Sequence, residues 1–415
     1  MPRLLLLTTT TGYQTESFVE AARHLGFELL LGSDRCHVLA ELWDEPTVPL
    51  RFQEPEASAR TLVEAFRARP FAGVVALGDD TPPTAAIACE ALGLPFHRPV
   101  GARAARDKSL ARTVLRDAGV RTPWFVSLEA DAEPPPDVPF PVVVKPASLS
   151  ASRGVIRADD RASLAAALRR VRALLATAEV RSRSHEAVDR ILVEAFVPGR
   201  EVAVEGLVKD GRLRVLALFD KPDPLDGPYF EETIYVTPSR LAGDVQAGVH
   251  AEVARAVDAL GLVHGPIHAE ARLSPEGPVV LEVAARPIGG LCARALHFGD
   301  VGETSLEELL VRAAVGNDVH GLAREPQASG VFMIPVAKAG VLERVEGVED
   351  AVSVPGVWNV AITAKPGDEL VPWPEGRSYP GFVFARASIP EAVEAALREA
   401  HRRLRFVVAR ALPTA

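Results

Sequence analysis

Short apolar runs alternate with amphipathic stretches through the start of the chain. Arg3–Thr9, Phe27–Leu31 and Gly73–Leu77 read as strands, and Thr15–Leu25, Ala57–Ala68 and Pro82–Leu92 as helices. That βαβ rhythm predicts a parallel sheet with helices on both faces. Thr8–Gly12 and Gly78-Asp79-Asp80 follow strand ends, where open α/β sheets place ligands, although polar loop residues are ordinary there too.

A helix is predicted over Arg103–Ala118, closed by Gly119. Prolines at 134–136, 139 and 141 then break the pattern before a strand at Val142–Pro146. Ser163–Leu175 is an amphipathic helix with Leu164, Leu168, Val171, Leu174 and Leu175 on one stripe. A polar segment near Arg181–Glu186 reads as mobile, and strands follow at Ile191–Phe196 and Glu201–Val208. Lys221–Ser239 lacks periodicity, as lids and binding loops of that length do. Ala247–Leu260 is a further helix. From about Gly330 the pattern becomes a small α+β tail, with strands at Val331–Val336, Val357–Thr363 and Gly381–Arg386 and a closing helix at Pro390–Leu404.

Strict alternation appears on either side of the turn formers Ser274-Pro275-Glu276-Gly277-Pro278. Folding back about Glu276 pairs Leu273 with Val279, Ala271 with Leu281, Glu270 with Glu282 and His268 with Ala284. The odd positions are then apolar, and His268, Glu270, Arg272, Glu282 and Arg286 share the other face. Two carboxylates placed opposite each other, about 5 Å apart at Cβ, repel. Either Arg272 or Arg286 neutralises them on a solvated hairpin, or a hard divalent cation carrying phosphates bridges them.

Composition narrows the class. The 415 residues suffice for two or three domains, and 48% hydrophobic with 24% charged residues is ordinary for a globular protein. A net charge of −9 without a long basic run argues against nucleic-acid binding. Cys36, Cys89 and Cys292 are too scattered for a disulfide framework or a CxxC metal site, which points to a reducing cytoplasm. The apolar run Leu4–Leu7 is too short for a signal peptide and reads as a buried strand. No stretch approaches the roughly 20 apolar residues of a membrane span.

Several residues carry possible chemistry. Lys145 precedes a loop containing Ser148, Ser150, Ser152 and Gly154, which could cradle phosphates or form an ordinary hairpin tip. Gly154 would let the backbone approach an anion. Glu201, Ala203 and Glu205 share one face of a strand; Glu201 could accept from ribose hydroxyls, or the face could be solvated. Arg286 precedes Pro287-Ile288-Gly289-Gly290, where glycines admit a substrate and a guanidinium suits a carboxylate or phosphate. His268 has a structural and a catalytic reading.

Taken in order, Asp107-Lys108, Val144-Lys145-Pro146, Ser152-Arg153-Gly154-Val155, Val193–Glu201, His268-Ala269-Glu270 and Glu282–Gly290 resemble the ATP-grasp superfamily, over roughly residues 1–320. Within it the chain is similar to L-amino acid ligases and related carboxylate–amine ligases. That similarity rests on Gly78-Asp79-Asp80-Thr81, Glu205-Gly206, Asp220-Lys221-Pro222 with Glu231-Glu232, and the tail from Gly340-Val341-Leu342 to Gly381–Ala385.

The resemblance implies an α/β and α+β chain with the ATP-grasp fold. Its parts would be a Rossmann-like domain (1–100), a connecting helix and linker (101–140), a lid (141–206), a core with the metal and substrate site (207–320) and a C-terminal α+β appendage (321–415). It implies ATP and Mg²⁺ as cofactors, with Mn²⁺ an alternative. Lys108 and Lys145 would hold phosphates beneath the Ser152–Gly154 loop; Glu194, Ala195, Phe196 and Val197 would meet adenine, and Glu201 the ribose. Glu270 and Glu282 would hold the metal. Arg286 and His268 would be catalytic, and Glu205, His268, Arg286, Gly289 and Gly290 would meet substrate. Ala284 departs from the pattern, because many ATP-grasp enzymes have asparagine there; the second metal position is then weaker, or completed by water and phosphate.

The implied activity is ATP-dependent joining of a carboxylate to an amine through an acyl phosphate, with an amino acid substrate, releasing ADP and phosphate in the cytoplasm. A homodimer is left open. The alternatives are a biotin-carboxylase-like subunit and a non-catalytic nucleotide-binding protein. The first would need a separate carrier, since Met occurs only at Met1 and Met333 and no Met-Lys attachment signature exists.

Overall fold

The computed structural model describes residues 1–10, 12–35, 45–182 and 189–410. Thr11, Cys36 and most of the polar segment near Arg181–Glu186 lie outside the described residues.

The leading strands form a parallel sheet in the order Thr47–Pro49, Glu28–Ser33, Arg3–Thr8, Gly73–Ala76. Leu4–Leu7 are fully buried because both faces are covered. Leu5 and Leu7 pack with Phe52 and Leu62, whereas Leu4 and Leu6 join a second core with Leu309, Phe298 and Val331. That second core ties the first sheet to the rest of the molecule.

The helix expected over Arg103–Ala118 is two helices, Pro99–Arg106 and Lys108–Asp117. Asp107 lies between them at φ −106°, and its carboxylate accepts from the N–H groups of Ser109 (2.9 Å) and Leu110 (3.2 Å). Capping restarts the helix one residue before Lys108.

A four-stranded antiparallel sheet follows, ordered Phe125–Glu129, Arg190–Ala195, Val142–Pro146, Ile156–Ala158 and covered by the Arg161–Leu175 helix. Its first strand falls in the stretch read as linker. The largest sheet has eight strands, in the order Gly277–Ala284, Gly265–Ser274, Glu201–Lys209, Arg212–Asp220, Ile234–Thr237, Ala328–Met333, Gly381–Ala387, Val357–Ile362. The C-terminal α+β segment therefore continues the core sheet. Ile234–Thr237 is a strand inside the region expected to be all loop; its four residues are buried but too few to show a period.

The hairpin carries one correction. His268 pairs with Ala284 and Glu270 with Glu282, but Ala271 then pairs with Val280, and Ser274 with Gly277. Leu281 is the extra residue of a β-bulge, so Val280 replaces it in the core beside Ala271 and Val283. Leu281 instead faces the cavity, and its carbonyl accepts from the Arg112 guanidinium.

Candidate active site

A cavity of about 500 Å³ opens where the loops after Thr8 and Ala76, the four-stranded sheet, the polar face of the core sheet and the segment Arg377–Tyr379 meet. Lys108, Lys145, Ser152, Glu194, Ala195, Phe196, Val197, Glu201, His268, Glu270, Glu282, Arg286, Gly289 and Gly290 all line it. Two expected residues do not. Gly154 donates its N–H to the Pro374 carbonyl at 2.7 Å, so that donor is already used. Glu205 is fully buried beneath the Ile288 backbone and does not reach the wall.

Charge is arranged in pairs. Lys145 lies 2.6 Å from Glu194, which also takes two 3.1 Å hydrogen bonds from Arg112. Burial opposes charge on Glu194, yet Arg112 and Lys145 hold its carboxyl below the usual range; burial lowers the Lys145 amine despite Glu194. Lys108 donates to the Leu149 carbonyl (2.8 Å) and approaches Glu282 (3.2 Å). Arg286 donates through Nε to Asp79 at 2.7 Å, and Arg106 binds Asp80.

Lys221 is a hub. Its Nζ donates to Glu201 (2.8 Å), Glu270 (3.0 Å) and Glu232, and lies 4.9 Å from the Tyr235 ring. Burial is outweighed there by the three carboxylates, so the ammonium is held charged. Burial raises Glu232 to about 7 even with that ammonium beside it. His268 donates or accepts through Nδ1 at Glu205 (3.2 Å), with Nε2 3.8 Å from Glu270. Burial opposes its charge, but the hydrogen bond to Glu205 and the nearby Glu270 carboxylate hold the imidazole up at about 9.

Donor chemistry favours a hard cation at one place. Glu270 and Glu282 are a directly opposed pair on the cavity wall, in the same cavity as Lys108 and Lys145. A neighbouring trio, Glu201, Glu232 and Glu270, has carboxylate oxygens within 4.8 Å of one another, but Lys221 already sits among them. Oxygen-only donors with cationic neighbours fit Mg²⁺ with phosphates.

Reading the sequence missed several wall or support residues. Arg112 is one turn beyond Lys108 on the same helix, and that i, i+4 spacing was the available signal. Asp79 and Lys221 stood in quoted motifs without an assigned role. Arg272, read as a possible counter-ion of Glu270 and Glu282, pairs with Glu201 at 2.9 Å instead, and Tyr235 and Arg377–Tyr379 gave no local signal.

Among the described residues no helix is long and apolar enough to cross a membrane. Residues 138–295 match an ATP-grasp domain, 19–96 an ATP-grasp N-terminal domain and 331–409 the L-amino acid ligase C-terminal domain 2. The structure is similar to that of L-amino acid ligase from Bacillus licheniformis, with TM-score 0.79, 28% identity, 98% of this chain and 99% of that one covered. By sequence it is similar to carnosine synthase 1 of Gallus gallus (31% identity, 70% of this chain, 33% of the relative). It is also similar to alanine–anticapsin ligase of Bacillus subtilis (28%, 49% and 45%). The chain thus spans less than half the length of these two curated relatives. Its fold, its three matched domains and its likeness across almost the whole of an L-amino acid ligase make it a member of the ATP-grasp superfamily, of the L-amino acid ligase type.

Proposed function

We propose that the protein is an ATP-dependent carboxylate–amine ligase, joining an amino acid to a second amine in the cytoplasm. The observation that carries this reading is the convergence in one cavity of Lys108, Lys145, Glu270, Glu282 and Arg286. ATP would phosphorylate the carboxylate, releasing ADP; the amine would attack the acyl phosphate, forming the amide and releasing phosphate.

The chain's own contribution is positioning and charge. Lys108 and Lys145 offset phosphate charge, and each is held at the cavity wall by a carboxylate, Glu282 and Glu194 respectively. Arg286, fixed by Asp79, presents its guanidinium to the carboxylate and then to the oxyanion. Glu270 and Glu282 would hold Mg²⁺, which would neutralise the transferring phosphoryl group. Ala284, opposite His268, leaves room for substrate beside the imidazole.

The test is a phosphate- and ADP-release screen over pairs of carboxylic acids and amines, with mass spectrometry of the product. Release requiring both partners, with an amide product, is the expected result. Release that requires bicarbonate, or no release with any pair, would overturn the reading.

A further inference from the structure

We propose that Glu205 is a positioning residue: one buried carboxylate fixes both the backbone that carries Arg286 and the ring of His268. The proposal rests on the ligase reading for its kinetic consequence and on geometry alone for its structural one.

The Arg286–Gly290 loop cannot fix itself. Pro287 has no N–H, and Gly289 and Gly290 restrict the chain least of all residues, Gly290 lying at φ 62°. Arg286 donates to the Pro287 carbonyl at 2.9 Å, but the restraints on the Ile288 peptide groups come from outside. The Ile288 N–H donates to both oxygens of Glu205, each at 3.1 Å. The Ile288 carbonyl accepts from the side-chain amide of Gln14, at the start of the Thr15–His24 helix. Asp79 holds the Arg286 side chain. Two consecutive peptide groups are thus held from opposite sides, by the core sheet and by the first α/β layer. Oε2 of the same Glu205 meets His268 Nδ1 at 3.2 Å, which turns Nε2 toward Glu270.

The arrangement is costly unless geometry is its product. Glu205 is 0% exposed, and burial raises its carboxyl above the ordinary range. A well-packed apolar residue often replaces a buried charge without loss of stability. An apolar side chain would leave the Ile288 N–H without an acceptor and the imidazole free to turn.

The experiment uses the full chain and two readouts, hydrogen–deuterium exchange of peptides covering 286–292 and steady-state kinetics on an acid–amine pair from the release screen. In Glu205→Leu, which removes the acceptor, exchange should be roughly 10- to 100-fold faster in that segment and little changed elsewhere. Its kcat should fall by roughly 10- to 100-fold, with the KM for ATP within about twofold. Gln14→Leu should give the same pattern more weakly, and the double variant should fall short of additivity because both act on one loop. It also carries the test if Glu205→Leu does not fold. Unchanged exchange, or faster exchange with unchanged kcat, would overturn the proposal. So would a loss of activity that only tracks the fraction folded. If the parent protein turns over no pair, the ligase reading fails, while the exchange arm still decides whether Glu205 holds the loop.

Discussion

His97 supplies a stability switch whose sign follows from its burial. The ring is 2% exposed. Its Nδ1 accepts from the His264 N–H (3.4 Å), so Nε2 carries the proton and donates to the Pro266 carbonyl (3.1 Å). A second proton would have to sit on Nδ1, facing another donor. Burial accordingly pulls the imidazole down from 6.5 to about 4, against the Pro266 bond. The unfolded chain binds this proton first, so stability is complete above pH 6.5 and is lost as pH falls from 6.5 toward 4. The loss comes to about 2 kcal/mol between pH 7 and pH 5, and about 3 kcal/mol once both states are protonated. His97→Gln can keep both hydrogen bonds and cannot titrate. Urea unfolding of parent and variant at pH 7 and pH 5 isolates the term, because other titrating groups cancel in the difference. The variant should lose about 2 kcal/mol less than the parent. Equal losses, or a native His97 that titrates near 6.5, would refute the reasoning.

Arg112→Met should lower stability by about 3–5 kcal/mol in urea unfolding, because it leaves Glu194 buried with Lys145 alone and the Leu281 carbonyl without its donor. Arg286→Lys keeps the charge and loses the fork held by Asp79, so kcat for ADP release should drop by roughly 100- to 1,000-fold while the fold, followed by circular dichroism, stays intact. Chelation by EDTA should reduce ADP release to background, and Mg²⁺ should restore it; chelator-resistant turnover would remove Glu270 and Glu282 from the proposed role. Lys221→Met leaves three carboxylates within 4.8 Å of one another, so the thermal midpoint should fall, and millimolar Ca²⁺ should raise it more than in the parent.

What could be read in the sequence was local and periodic. Leu4–Leu7 announced a strand covered on both faces, and the residues of the Pro82–Leu92 helix were legible from its flanking proline and glycine. The alternation around Glu270 and Glu282 gave their pairing correctly. It could not reveal the bulge, since Val279, Val280 and Leu281 are all apolar and any of them can face a core. The break at Asp107 was hidden because the helical pattern continues through it. Glu201 and Glu205 do share a strand face, but which of them meets a cavity depends on the Ile288 backbone folded over one of them. The partnerships that fix the site, Arg286 with Asp79 and Arg112 with Glu194, span 207 and 82 residues and leave no periodic trace.

The seam between the four-stranded sheet and the C-terminal segment bears on how such proteins can be recombined. Ala151 and Ser152 hold left-handed backbone at φ 55° and 54°, conformations that surrounding contacts must maintain. The Trp373 indole donates to the Ala151 carbonyl at 2.9 Å, Arg153 Nε to the Glu375 carbonyl at 3.0 Å, and Gly154 N–H to Pro374. Grafting a foreign C-terminal module onto this chain would therefore replace half of that clasp as well as three strands of the core sheet. A chimera intended to change substrate choice through residues 377–379 has to carry Trp373–Glu375 and the 150–154 loop as one cassette.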